Sequence, residues 1–125
     1  MKTALLAFSV LVAITASPSQ ACKTGEYPPI PIKQYVERPY GTLTWRGPLT
    51  PQEIEAEKMG PADSVATVVP PIVPFGAIHH VWLALRQLES PDALYYHFVE
   101  PDGAATGYAL VCDGNVIGAI ITSVS

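Results

Sequence analysis

The last third of the chain contains three largely apolar runs separated by turn sequences, a pattern that indicates β-strands. Strands are predicted over residues 93–100, 106–112 and 115–123. A turn at 101–103 separates the first two, and Asp113-Gly114, a dipeptide favoured in two-residue hairpins, separates the last two. Both connections are too short for a crossover, so the pattern predicts an antiparallel meander.

Both faces of this meander carry apolar side chains. In the first strand, one face carries Leu94, Tyr96 and Phe98, and the other carries Tyr95, His97 and Val99. In the third strand, one face carries Val116 and Ile120, and the other carries Ile117, Ala119 and Ile121. Neither face is therefore expected to be fully solvated. The last strand has few charges. It is predicted either to pair with the segment 40–47 or to form an exposed edge that invites strand addition.

Residues 76–89 show helical spacing instead. The apolar residues Ile78, Val81, Trp82, Leu85 and Leu88 recur every three or four positions, which predicts an amphipathic helix covering one sheet face. A buried strand over 80–85 is the competing interpretation. The helix is expected to end at the Ser90-Pro91-Asp92 sequence.

Prolines dominate the preceding region, with ten of the chain's 13 prolines lying between residues 22 and 75. Proline removes a backbone donor and restricts its predecessor, so long helices and central strands are excluded there. Residues 27–32 and 68–75 are predicted to be extended straps lying across the core. Between them, residues 40–47 alternate as a short strand that ends at Gly-Pro.

A short helix is predicted to begin after Thr50. Thr50 is its N-cap, Pro51 occupies its first turn, and Glu53 completes a capping box. Gly60-Pro61 ends it. Because Ile54 is its only large apolar residue before the helix ends, this helix is expected to lie exposed.

The first 21 residues resemble an export signal: Lys2, an apolar run over 4–16, and small residues at Ser19 and Ala21. Removal of 1–21 leaves residues 22–125 as one domain, made of a proline-rich strap region (22–75) and the helix with its meander (76–125). No other stretch is long and apolar enough to cross a bilayer. The sequence therefore predicts a secreted or periplasmic protein.

The chain has two cysteines, Cys22 and Cys112. In an oxidising compartment they are expected to form a disulfide that ties the mature N-terminus to the sheet. The alternative is a lipoprotein in which Cys22 is acylated and anchors the chain. Cys112 would then be a free thiol near His97 on the adjacent strand.

The formal net charge is −4, and the sequence contains no cluster of basic residues. Both features argue against nucleic acid or an anionic membrane surface as a partner. Among candidate catalytic residues, His79 and His80 are adjacent and point apart, and His97 lies on a predicted strand. No metal-binding motif or nucleophile motif accompanies them, so no metal and no cofactor are expected.

Tyr95, Tyr108 and Trp45 are candidates for an aromatic binding platform, although aromatic residues on strands more often pack against each other across the sheet. The prediction is an α+β domain with a three- to four-stranded antiparallel meander, one packed amphipathic helix and proline-rich extended segments. Its expected function is that of an exported, non-enzymatic binding module: an inhibitor, accessory subunit or ligand binder that contacts a protein through the sheet face or last strand. The alternative is a small histidine-dependent hydrolase or metal-dependent enzyme.

Overall fold

A computed structural model describes residues 22–62 and 71–124 of this chain. The predicted export signal 1–21 and part of the second strap lie outside the described residues. The described part is mixed α+β, which confirms the predicted class. In chain order its elements are β1 (Ile30–Pro31), α1 (Ile32–Val36), β2 (Glu37–Arg38), β3 (Gly41–Thr42), β4 (Thr44–Leu49), α2 (Pro51–Glu57), β5 (Met59–Pro61), β6 (Ile72–Pro74), a 3₁₀ turn (Gly76–Ile78), α3 (His79–Arg86), β7 (Leu94–Val99), β8 (Ala105–Cys112) and β9 (Asn115–Val124).

The main sheet has five antiparallel strands in the order β1-β9-β8-β7-β4. Strands β7, β8 and β9 form the predicted meander. Asp113 and Gly114 both adopt positive φ, 53° and 78°, as the predicted two-residue hairpin turn requires. The other strand pairs, β2 with β3 and β5 with β6, each form a small sheet of their own. Among the described residues, no helix is both long enough and apolar enough to span a membrane.

Segment 40–47 does not pair with the last strand. Its second half begins β4, which pairs with β7 at the opposite side of the sheet, with Trp45 opposite Phe98 and Arg46 opposite His97. The pairing of 40–47 with the last strand was therefore a wrong prediction. This segment cannot pair with β9 because β8 and β7 lie between them in the sheet.

The amphipathic segment after Gly76 is helical, as predicted, and the strand interpretation of 80–85 is wrong. A 3₁₀ turn leads into α3, and Trp82 and Leu85 are buried against the sheet. The predicted capping box of α2 is also present: the Glu53 N–H donates to Thr50 Oγ1 (3.1 Å), and the Thr50 N–H donates to Glu53 Oε1 (2.8 Å).

Helix α2 is docked on the core through a single residue. Its Ile54 is fully buried and belongs to the same core as Trp82, Tyr95 and Tyr108. One apolar residue is enough to dock a two-turn helix when a pocket between larger aromatic side chains receives it. The rest of the helix is largely exposed, as expected, with Gln52, Glu53, Ala56 and Glu57 at the surface.

The straps are only partly extended. Ile30 and Pro31 pair with Val116 and Asn115 of β9, but the chain then turns into α1 at Ile32, whose N–H donates to the Gly114 carbonyl (3.0 Å). In the second strap, 68–70 lies outside the described residues, whereas β6 pairs with β5.

A core lies on each face of the sheet. The face under α2 and α3 buries Ile54, Phe75, Trp82, Leu85, Tyr95, Tyr108, Leu110, Cys112, Ile117 and Ile120. The face under α1 buries Leu43, Phe98, Ala109, Val111 and Val116. The sheet is therefore covered on both sides, as the lack of a polar face predicted.

A bulge in β9 changes its predicted faces. Val116 pairs with Val111 but Gly118 pairs with Leu110, so Ile117 is an extra residue. Val116 consequently packs on one face, and Ile117 and Ile120 both pack on the other. The prediction that Val116 and Ile120 share a face was wrong because a bulge reverses the alternation that follows it.

The predicted disulfide is confirmed: Cys22 and Cys112 are bonded, with Cα atoms 5.9 Å apart across a sequence separation of 90. A bridged Cys22 has no thiol available for acylation, so the lipid-anchor alternative does not fit this structure. Cys112 is likewise not a free nucleophile beside His97.

Candidate functional site

An apolar groove of about 550 Å³ runs along the outer edge of β9. It lies between β9, the exposed side of α3 and the strap that precedes β1. Its lining residues are Gly25, Glu26, Tyr27, Pro28, Ile30, Tyr35, Val81, Ala84, Leu85, Leu88, Val116, Ile117, Gly118, Ala119 and Ile121. Because they include residues from both cores, the groove reaches both faces of the sheet at its edge.

The strap wall of the groove is held at both ends. Cys22 is tied to Cys112 beneath the helix face, and Ile30 pairs with Val116 at the sheet edge. Between these points the chain passes between the end of α3 and β9: a Cβ atom at Gly25 would lie 3.0 Å from Leu88 Cδ1 and 3.5 Å from the Ile117 carbonyl oxygen. Pro28 and Pro29 have no N–H to donate, so the strap cannot continue the ladder of β1 along β9.

The floor of the groove depends on Gly118. A Cβ atom at this position would lie 2.7 Å from Leu85 Cδ1 and 3.1 Å from Leu88 Cδ1. Glycine therefore lets the helix approach the strand more closely than any other residue would. The bulge at Ile117 turns this glycine toward α3.

The outer side of β9 lacks a strand partner over most of its length. Strand β1 pairs only with Asn115 and Val116, and in residues 22–62 and 71–124 no strand pairs with the outer side of β9 beyond them. Ile121 is 44% exposed and Val124 75% exposed at this edge. Strand β9 contains no charged residue and no proline, the features that usually protect a sheet edge.

The groove has little charge. Glu26 is its one ionisable acid or base apart from the tyrosines, and it is exposed. The neighbouring cationic side chains contact groups outside the lining of the groove. Lys23 donates to the Gln87 carbonyl (3.4 Å), and Arg86 donates to Glu89 (2.9 Å). The site therefore presents apolar walls, an edge of backbone amides and one carboxylate.

His97 lies away from this groove, on β7 opposite Arg46. Its ring is 5.0 Å from the ring of Tyr108, whose hydroxyl donates to Glu57 Oε1 (3.2 Å). Burial first, then the positive charges of Arg46 and Lys58, lower the pKa of His97. Burial and Glu57 raise the pKa of Tyr108 to about 12. The cluster therefore favours a neutral imidazole beside a protonated phenol.

The other two candidate histidines are not combined with His97. His79 Nδ1 lies 2.7 Å from the Pro74 carbonyl oxygen, and His80 is exposed on α3. In the described part of the chain, no three histidine, cysteine or acidic side chains are grouped so that they could hold a metal ion. The arrangement needed for the enzyme alternative is not assembled by these residues.

The three candidate platform aromatics are also separated. Tyr95 and Tyr108 are 2% and 1% exposed, so their rings pack in the core. Trp45 is half-buried on the opposite core, where it stacks on Tyr96 with ring centroids 5.3 Å apart. This is the cross-strand packing that strand aromatics usually make, and the candidates do not form one surface.

The predicted site residues thus miss the groove, because they were selected for chemically distinctive side chains. The groove is formed instead by the edge of a strand and by small or aliphatic residues, whose side chains are not chemically distinctive. Two local signals do point to it: Pro28-Pro29, which stops β1 from extending, and Gly118, which brings α3 close to the edge.

The groove's own geometry is the basis for assigning a function. The chain matches no protein-family model, no curated protein and no solved structure. What the arrangement offers chemically is therefore apolar contact combined with main-chain hydrogen bonding.

Proposed function

We propose that this protein is an exported, non-enzymatic binding module that holds an apolar ligand in the groove along β9. The observation that supports this most strongly is the groove itself: about 550 Å³, with aliphatic and aromatic walls on three sides. Pockets of this size and character are the usual sites of ligand binding in small proteins. The disulfide between Cys22 and Cys112 supports export, because such bonds persist in oxidising compartments.

The walls of the groove are fixed in place, which favours ligand binding. The strap wall is held by a disulfide at one end and by strand pairing at the other, and the helix wall packs on Gly118. A preformed groove loses little conformational freedom when a ligand enters, which favours affinity. The lining contains no histidine, cysteine or serine that could act as a nucleophile or base.

A neutral apolar dye such as Nile red tests the proposal. Its fluorescence should rise and shift to the blue when it is titrated with the protein. Ala84→Glu places a charge in the groove wall and should abolish the change, whereas Ala56→Glu is a matched substitution on an exposed part of α2 and should leave it intact. Equal binding by both variants would contradict a groove site.

A further inference from the structure

We infer that the ligand of this groove is an extended segment of another polypeptide, which adds to the sheet as a strand antiparallel to β9. The inference rests on the proposed function and specifies its ligand.

The exposed backbone of β9 determines the class of ligand. An apolar molecule can contact the apolar walls, but where it also covers the β9 edge it removes water from the outward N–H and C=O groups without replacing their hydrogen bonds, which limits its affinity. A polypeptide replaces them, because its own donors and acceptors repeat every two residues, about 6.8 Å apart. The neighbouring apolar walls then receive its side chains.

The charge of the lining disfavours the main competing apolar ligands. Fatty acids and anionic lipids carry a negative headgroup, and the groove offers them Glu26 and no cation. An internal polypeptide segment has a neutral backbone and makes no such repulsion. A basic side chain near Glu26 would add an attractive contact.

The existing partner of β9 shows which direction fits. Strand β1 runs antiparallel to β9, pairs with it only at Asn115 and Val116, and is preceded by the strap. A segment beside Gly118–Val124 in the same direction would place its C-terminal end at the strap, near Glu26. A free terminal carboxylate would be unfavourable there, so the bound segment is internal to its chain.

A second copy of this chain is a less suitable occupant. The β9 edge of a second copy is flanked by that copy's own α3 and strap. These would need the space beside the groove that α3 and the strap of the first copy already occupy. A single extended segment has no such flanking walls. The groove therefore suits a strand without a domain attached alongside it.

The test uses a fluorescein-labelled peptide, Thr-Val-Thr-Val-Thr-Val-Lys with an amidated C-terminus, and the disulfide-bonded protein. Fluorescence anisotropy should rise to saturation. Ile121→Lys should weaken binding by about tenfold or more, because charge on an edge strand opposes strand addition. Leu94→Lys is the matched control, a similarly exposed aliphatic residue on β7 (46% against 44%), and should change it less than about twofold.

The free-acid form of the peptide tests the direction. It should bind several-fold more weakly than the amide, and Glu26→Gln should remove that difference. If the acid binds as well as the amide, the antiparallel placement is wrong. Thermal unfolding of each variant checks that its fold is retained.

Separate outcomes overturn the inference and the proposed function. If Nile red binds the groove but the peptide does not, the function stands and the strand-addition inference fails. If neither binds, both fail. If sedimentation shows a dimer that Ile121→Lys dissociates and the peptide does not compete with, the occupant is a second copy and the inference is overturned.

Discussion

Removal of the disulfide is expected to destabilise the protein strongly. Cys22 and Cys112 are separated by 90 residues, so the bond closes nearly the whole described chain into one loop. The loop-entropy relation for a closure of this length gives about 4.6 kcal/mol at 25 °C. This is a large share of the about 5 to 15 kcal/mol by which domains are usually stable.

Cys22→Ala is the appropriate variant. Cys22 is only partly buried, so its truncation removes little packing, whereas Cys112 is fully buried and a substitution there would add a second effect. Guanidinium unfolding at 15 °C should show a free energy of unfolding lower by about 4 to 5 kcal/mol. The denaturant slope should rise, because the unlinked denatured chain exposes more surface.

The result also bears on the groove. Without the disulfide the strap is held only by β1, so the groove wall formed by Gly25–Pro28 loses one attachment. Nile red and peptide binding should weaken even at temperatures where Cys22→Ala remains folded. A loss of stability below about 1 kcal/mol, with an unchanged slope, would refute the loop argument.

Three further substitutions test the packing and electrostatics. Ile54→Ala should lower the free energy of unfolding by about 2 to 5 kcal/mol in denaturant titrations, because the side chain is fully buried; a change below 0.5 kcal/mol, the usual range for a surface site, would contradict that burial. Tyr95→Phe should cost about 1.5 to 3 kcal/mol, since the Tyr95 hydroxyl donates to Glu89 Oε2 (2.6 Å); no change would show that this bond is absent in solution. Because the pKa of His97 is lowered in the folded protein, its contribution to stability is fully present at pH values above its unfolded-state pKa near 6.5. This contribution is lost as the pH falls through the lower pKa of the folded state. His97→Gln should therefore flatten the loss of stability between pH 7 and 5, and an unchanged slope would contradict the pKa direction.

The local signals in the sequence predicted most of the meander and both main helices. The Asp113-Gly114 turn sets the register of β8 and β9, and the Thr50 capping box sets the start of α2. These features depend on residues within a few positions of each other. They are therefore visible without knowledge of the rest of the fold.

The errors arose where long-range packing decides the outcome. The strand partner of segment 40–47 depends on which sheet edge is free, and the burial of Ile54 depends on a pocket formed by aromatic residues far along the chain. The bulge at Ile117 has no sequence mark, since Val116, Ile117 and Ile120 are all apolar and fit either face. Period-two reasoning assigns faces correctly only while the register is continuous.

The candidate site was anticipated as an edge but not as a groove. The low charge of the last strand indicated an exposed edge, and this is where the groove lies. Its walls could not be anticipated because they combine α3, β9 and the strap, three elements whose placement depends on the disulfide and on Gly118. The candidate tyrosines, Tyr95 and Tyr108, pack in the core instead, and His79, His80 and His97 are not grouped.

Amide hydrogen exchange along β9, measured residue by residue by NMR on the dilute protein, tests the central claim most directly. If the edge is an open binding site, outward-facing amides of Gly118–Val124 should exchange fast while those of β8 stay protected. Addition of the amidated peptide should slow these edge amides selectively. Uniform protection of β9 in the free protein, or edge amides that the peptide leaves unchanged, would contradict the account.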